Sequence, residues 1–213
     1  RSRALSLSTS PFLTSHHHRY PGPRQSTTTH NRVKVIGCKV TGCEVLSDGW
    51  PDLAASIEEV PEGVYVAQSR MIVEGEVSVY DGNAFGGDEE EDDDAVKVND
   101  IVNKFQLQQC AGLSKKDFKA MFMGHVKAVM KEGQMKKKAK ESEEGKAALA
   151  AFQDSAKSSL KFFLSVFKDC DIYMGEDQDA SGAYVIGWWN PNAEYTAAPQ
   201  MCVWMAGCTF RKL

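Results

Sequence analysis

Two stretches in the middle of the chain carry the same apolar periodicity, and what flanks them sets the class of fold. Phe118, Met121, Phe122, His125, Val126, Val129 and Met130 fall at i, i+3, i+4, i+7, i+8, i+11 and i+12, which is one apolar face of an amphipathic helix. Leu149, Phe152, Ala156, Leu160, Phe163 and Phe167 recur at three- and four-residue steps and predict a second helix. Ser114 followed by Asp117 gives the first one a capping-box-like start. Between them KEGQMKKKAKESEEGK brings two glycines and dense charge, the composition of a link. A helical hairpin over about 114–168 is expected, its apolar faces on a sheet. The flanking segments alternate with period two instead. VKVIGCKVTG, GVYVAQSRMIVEGEVSV (with Val73, Gly75, Val77 and Val79 in one phase) and AVKVNDIVNKFQLQ (with Ile101, Phe105 and Leu107 in one phase) read as strands. CDIYMGEDQDASGAYVIGWWN reads as a hairpin with its turn between Gly175 and Gly182, and PQMCVWMAGCTF as a closing strand. Strands, then helices, then strands make an α+β domain.

Charge divides the chain. Residues 1–32 hold five arginines and no acid. Removing those five from the 25 Lys and Arg leaves 20 against 29 Asp and Glu, a balance of −9 for residues 33–213. An acidic body argues against non-specific nucleic-acid binding, which needs a cationic surface. No apolar run is long enough to span a bilayer. Residues 1–32, rich in Ser, Thr, Arg, His and Pro, have no periodicity and are expected to be disordered. They read either as a transit-like segment or as upstream sequence outside the mature protein. The three consecutive histidines His16 to His18 are too short a run to define a metal site.

The six cysteines form no CxxC pair, and only His125 lies outside the first 32 residues, so zinc-ribbon spacing is absent. They are read as reduced thiols of a cytoplasmic protein. His125, on the apolar helix face, is expected to be packed and hydrogen-bonded. Trp188, Trp189 and Trp204 are expected in the core or on a sheet face.

Asp88 to Asp94 are seven consecutive acids behind a glycine-rich lead-in, between two strand-like stretches. Seven adjacent like charges cannot share a folded surface cheaply, so 82–95 is expected to be a solvated, mobile loop. Deleting Asp88 to Asp94 should leave cooperative thermal unfolding intact, since the run is expected to bury nothing. Loss of the cooperative transition would make the run structural. Lys136, Lys137, Lys138 and Lys140 form a basic stripe, either a solvated tip or a surface for an acidic partner. DQDASG opens like a calcium loop, yet the twelfth position is Trp188 where a bidentate Glu is required. Glu176, Asp177 and Asp179 therefore make at most a weak calcium site, and no other cofactor is required.

With these segments in order, residues from about Val33 to Leu213 resemble the translationally controlled tumour protein family. DIYMGEDQDASGAYVIGWW is similar to that family's C-terminal signature, DGNAFGGDEEE to the Gly-Asn-Ala stretch that opens its acidic loop, and VNDIVNKFQLQ and LSKKDFKAMF to the strand and helix start that follow. CEVLSD resembles its acidic segment near the N-terminus. The chain departs from the pattern at Phe85-Gly86, Ser181, Tyr184 and VWMAG, and has Val33 where the family starts with Met. The resemblance implies a β-rich, tent-like sheet domain with a protruding helical hairpin and a long mobile loop. It implies a monomeric cytosolic binding protein linked to growth control and survival, with ties to a Rheb-type small GTPase, tubulin, calcium and anti-apoptotic partners. Glu44 matches the family acid implicated in GTPase contact, and the basic hairpin is the candidate tubulin surface. The alternatives are a scaffold or chaperone-like protein without a GTPase role, and a thiol enzyme using Cys202 or Cys208. No Ser/His/Asp set or phosphate-binding glycine loop is present.

Overall fold

The computed structural model describes residues 33–74 and 96–212. The expected disorder of 1–32, the loop 82–95 and the alternation through Gly75, Val77 and Val79 lie outside the described residues.

Among the described residues, ten strands and four helices follow one another as β1 (Lys34–Cys38), β2 (Glu44–Ser47), β3 (Val64–Gln68), β4 (Met71–Val73), β5 (Lys97–Asn99), α1 (Asp100–Lys104), β6 (Gln108–Gln109), α2 (Lys115–Glu132), α3 (Met135–Glu141), α4 (Glu143–Val166), β7 (Cys170–Met174), β8 (Tyr184–Trp188), β9 (Gln200–Trp204) and β10 (Cys208–Lys212). They build a three-stranded sheet in the order β10-β1-β2, a five-stranded sheet β3-β9-β8-β7-β6 and the ribbon β4-β5, every pairing antiparallel.

The five-stranded sheet lies between two apolar layers, and period-two alternation sorts its side chains. Val64 and Val66 of β3, Tyr184, Ile186 and Trp188 of β8, and Cys202 and Trp204 of β9 join the helices in one core. Tyr65 and Ala67, Val185, and Met201 and Val203 face the other way. They pack with Val35, Ile36, Val45 and Leu46 of the three-stranded sheet and with Ile101, Phe105 and Leu107. Burial on both faces is why β8 and β9 read as continuous apolar runs.

Helix α2 begins where expected: Ser114 caps it, accepting from the Asp117 N–H at 3.2 Å. The Asp117 carboxylate turns to the Ser114 hydroxyl, at 2.5 Å, and not to the cap's own N–H as a full capping box would require. The face from Phe118 to Val129 is buried, with Met121 and Met130 partly covered. Phe118 and Phe122 of α2 both meet Phe163 near the end of α4, at centroid distances of 6.4 and 5.9 Å, so the two helices run antiparallel. Between Val129 and Phe152 the only buried side chain is Ala139, at 9% exposure, so the far end of the hairpin stands on little core.

Four expectations change. First, Asp100–Lys104 is a short helix and not a continued strand. Ile101 and Phe105 are four apart, a spacing that fits both periods, and Asn99 decides by accepting from the N–H groups of Ile101 and Val102. Second, the charged link contains a helix of its own. The chain breaks at Gly133 and Gln134, whose φ is +48°, then forms α3 and reverses at Ser142, the cap of α4. Gly145 permits this, because a Cβ there would run into the Lys138 carbonyl and stand 2.9 Å from the Ala139 nitrogen. Third, the closing strand is two strands in different sheets, β9 and β10, separated by a 3-10 turn over Met205–Gly207. Fourth, Trp188 and Trp204 are buried but Trp189 is 43% exposed, its indole N–H donating to Asp171 at 2.9 Å.

Candidate functional site

Glu44 opens β2 and is exposed. The turn before it is tightly held. Cys38 N–H donates to Cys43 O at 2.8 Å and Gly42 N–H to Cys38 O at 3.0 Å. The Cys38 sulfur accepts from the N–H groups of Val40 and Thr41 at 3.3 and 3.5 Å. Gly42 has φ +83°, a left-handed conformation that favours glycine, and its carbonyl accepts from Arg211 Nη1 at 3.2 Å. Glu44 pairs with Gly37 where the β1–β2 register shifts, and such a bulge re-aims the side chain beside it.

The segment Gly175–Gly182 folds as a second tight loop. Asp179 Oδ1 accepts from Ser181 N–H at 2.8 Å and from the Ser181 hydroxyl at 2.7 Å. These two donors hold the Asp179 carboxyl below the usual aspartate value, the backbone N–H contributing most. Gln178, at φ +51°, donates to Gly175 O at 3.0 Å.

The two loops meet, although more than 130 residues separate them in sequence. A Cβ on Gly175 would stand 2.9 Å from Cβ of Cys43, and one on Gly182 would stand 3.4 Å from Cγ2 of Thr41. Burial, the largest influence, raises the pKa of the Cys43 thiol, with the Asp177 side chain adding to the rise. Glu44 therefore rises from a turn that is braced by Arg211 on one side and by the acidic loop on the other. Arg211 gives no local signal in the sequence; only the pairing of β10 with β1 brings it there.

His125 braces the same loop from beneath. It is 2% exposed, and its Nδ1–H donates to the Ser181 carbonyl at 2.7 Å, as expected of a packed histidine. Burial lowers its pKa, and the Ser181 contact opposes this only in part. The unfolded chain then takes up a proton at His125 before the folded one does. Stability contributed here is complete above the ordinary histidine value of about 6.5 and falls as pH drops through it. Acid titration of the melting temperature should show this fall below about pH 6.5, and His125→Asn should reduce its slope. An unchanged slope in the variant would assign the fall to other groups.

Glu176, Asp177 and Asp179 are all exposed. Among the described residues no three His, Cys, Asp or Glu side chains stand close enough together to hold a metal ion. Trp188, the twelfth position of the calcium-loop pattern, is buried in β8. Lys136, Lys137, Lys138 and Lys140 all lie exposed on α3. Lys136 and Lys137 join Lys127, Lys131, Gln134 and Met130 around a groove of about 380 Å³, while Lys138 and Lys140 lie outside it. The two thiols considered for catalysis are buried, Cys202 at 0% and Cys208 at 3% exposure. Burial pushes the Cys202 pKa well above its ordinary value and that of Cys208 up to about 12, so neither supplies a thiolate at neutral pH. Among the described residues no helix is long and apolar enough to cross a membrane.

A family model described as "Translationally controlled tumour protein" matches residues 34–209. The chain belongs to the translationally controlled tumour protein family. Its relatives include the family homolog of Gibberella zeae, 37% identical over 153 residues that make up 69% of this chain and 82% of that protein. The homolog of Debaryomyces hansenii is 30% identical over 177 residues, 82% of this chain and 96% of that one. Among solved structures, the translationally controlled tumor-associated protein of Schizosaccharomyces pombe superposes with a TM-score of 0.57 at 23% identity, over 84% of this chain and 99% of that one. The family protein of Caenorhabditis elegans superposes with a TM-score of 0.53 at 20% identity, over 84% and 98%. At these identities the structural likeness establishes the family fold, α+β and rich in sheet.

Proposed function

We propose that this family member acts in the cytoplasm by binding partners, not by catalysis, and that its principal contact is with a Rheb-type small GTPase through Glu44. The observation that carries this reading is the mounting of Glu44. A solvent-facing carboxylate stands at the head of a strand, on a turn fixed by four backbone–thiol and backbone–backbone bonds within Cys38–Cys43 and by the Arg211 clamp. A carboxylate on so fixed a turn costs little backbone freedom on docking, and in this reading it engages a GTPase's phosphate-binding lysine or perturbs its magnesium. Loosened nucleotide would follow, and with it faster exchange. Release of a fluorescent guanine nucleotide from the GTPase should accelerate with the wild-type chain and not with Glu44→Ala. Equal acceleration by both would remove Glu44 from the account.

The scaffold reading rests on a different surface. The four α3 lysines and the groove edged by Lys127, Lys131, Lys136 and Lys137 suit an acidic segment such as a tubulin tail. Microtubule co-sedimentation should weaken at least fivefold when Lys136, Lys137, Lys138 and Lys140 are changed to Gln, and should fall with added salt. Binding that survives both changes would contradict this surface. Association with calcium at Glu176, Asp177 and Asp179 is proposed to be weak, in the millimolar range of incomplete ligand sets. Anti-apoptotic partners belong to the same proposed binding role.

A further inference from the structure

A cavity of about 690 Å³ opens between the segment before β3 and the connection from β8 to β9. It shares no lining residue with the Glu44 turn, the α3 lysines or the Gly175–Gly182 loop. Its rim is anionic: Glu58, Glu59 and Glu194 line it, all exposed, and among the described residues no lysine or arginine does.

The floor is a pair of amides. Gln200 is 5% exposed. Its Oε1 accepts from Asn190 Nδ2 at 3.0 Å, and Asn190 Oδ1 is held in turn by the Asn192 N–H at 2.9 Å. Gln200 lines the cavity, and among the described residues nothing accepts from its Nε2. Gln68 is the cross-strand partner of Gln200. Its Nε2 donates to the carbonyls of Ser69 and Ala198 at 3.2 and 3.3 Å, so its Oε1 lacks a donor among the described residues. A donor and an acceptor thus stand side by side at the base of the cavity. Among the described residues Ser159 Oγ is the one buried side-chain polar atom without a partner, so Gln200 Nε2 reaches solvent, and a ligand carbonyl takes the place of water on it. The side-by-side donor and acceptor match the C=O and N–H of an extended main chain.

Tyr195, 41% exposed, supplies an open aromatic face beside Glu194. A guanidinium stacks on such a face while offering its planar donors to carboxylates, which an ammonium does less well. We propose that this cavity binds an extended, arginine-bearing peptide segment of another protein. Its guanidinium lies among Glu58, Glu59 and Glu194, and its main chain lies on Gln200 and Gln68.

The test is a titration of the isotope-labelled full chain, followed by NMR, with the acetylated and amidated pentapeptide Gly-Ala-Arg-Ala-Gly. The expected result is a saturable shift of the Gln200 side-chain amide and of Glu58 and Glu194. Affinity should fall at least tenfold in the Glu58→Gln/Glu194→Gln double variant, whose exposed positions leave folding intact, and at least tenfold when norleucine replaces the arginine. Gln200→Leu should weaken binding further. Unchanged affinity in the double variant, equal binding of the norleucine peptide, or saturable shifts confined to other residues would overturn the proposal. So would the absence of any saturable shift. Binding that emerges only after the five arginines of residues 1–32 are changed to Ser would assign the cavity to the chain's own segment and overturn a partner in trans.

Discussion

Phe118→Ala is expected to lower the unfolding free energy by about 3–5 kcal/mol, the range for truncating a fully buried phenylalanine. Phe118 is 0% exposed and sits where α2, α4 and the five-stranded sheet meet. Its ring contacts Phe122, Phe163, Phe167 and Tyr184 at centroid distances of 6.1, 6.4, 5.6 and 6.2 Å. Those partners lie on α2, on α4, in the 3-10 turn that follows α4 and on β8, so none can follow the lost ring inward without leaving its own backbone, and the cavity stays open. For a domain of this size about 2–4 °C of melting temperature goes with each kcal/mol, which places the expected drop at roughly 6–20 °C. Phe118→Leu should cost much less. Thermal and urea unfolding of both variants gives the answer; a drop of only a degree or two for the alanine variant would mean that the helices do not depend on this cluster.

The elements that the sequence made legible are those whose pattern is long and unambiguous. The apolar face from Phe118 to Val129 is buried as its spacing predicts, and Ser114 caps the helix. What was missed was short or lay between periods. Ile101 and Phe105 satisfy a strand and a helix alike, and the Asn99 cap that decides between them is a single residue. Helix α3 was masked by its own charge, since four exposed lysines and one buried alanine leave almost no apolar signal. Trp189 stands just past the end of β8, where the sheet no longer sets which way a side chain faces, and nothing in the Trp-Trp pair separates it from buried Trp188.

The candidate site was legible only in parts. Glu44 and the carboxylates of Gly175–Gly182 stood out singly, through type and turn chemistry. That the two loops brace one another through Cys43 and Gly175, with Arg211 closing the turn, depends on strand pairings no local pattern contains. The cavity amides Gln68 and Gln200 are likewise neighbours only through the pairing of β3 with β9.

Glu44→Lys carries the second large effect. Glu44 is exposed at the head of β2, so its replacement removes no core contact and should leave the melting temperature within about a degree or two, as surface substitutions do. Contact of its carboxylate with a cationic group on the GTPase is charge-assisted and worth roughly 1.5–3 kcal/mol. Glu44→Ala should then weaken association about tenfold or more. Glu44→Lys should be worse, because it sets a cation against a cationic phosphate-binding site and adds repulsion to the lost attraction. Raising the ionic strength should narrow the difference between the variants, since rim charges are screened by salt.

The direct measurement is titration calorimetry of a Rheb-type GTPase from the same source with the wild-type chain, Glu44→Ala and Glu44→Lys, at one low salt concentration and with melting temperatures recorded alongside. The account expects binding by the wild type, a loss of about tenfold or more for the alanine variant, a larger loss for the lysine variant, and unchanged melting for both. Equal affinity across all three chains, or no association of the wild type, would contradict it.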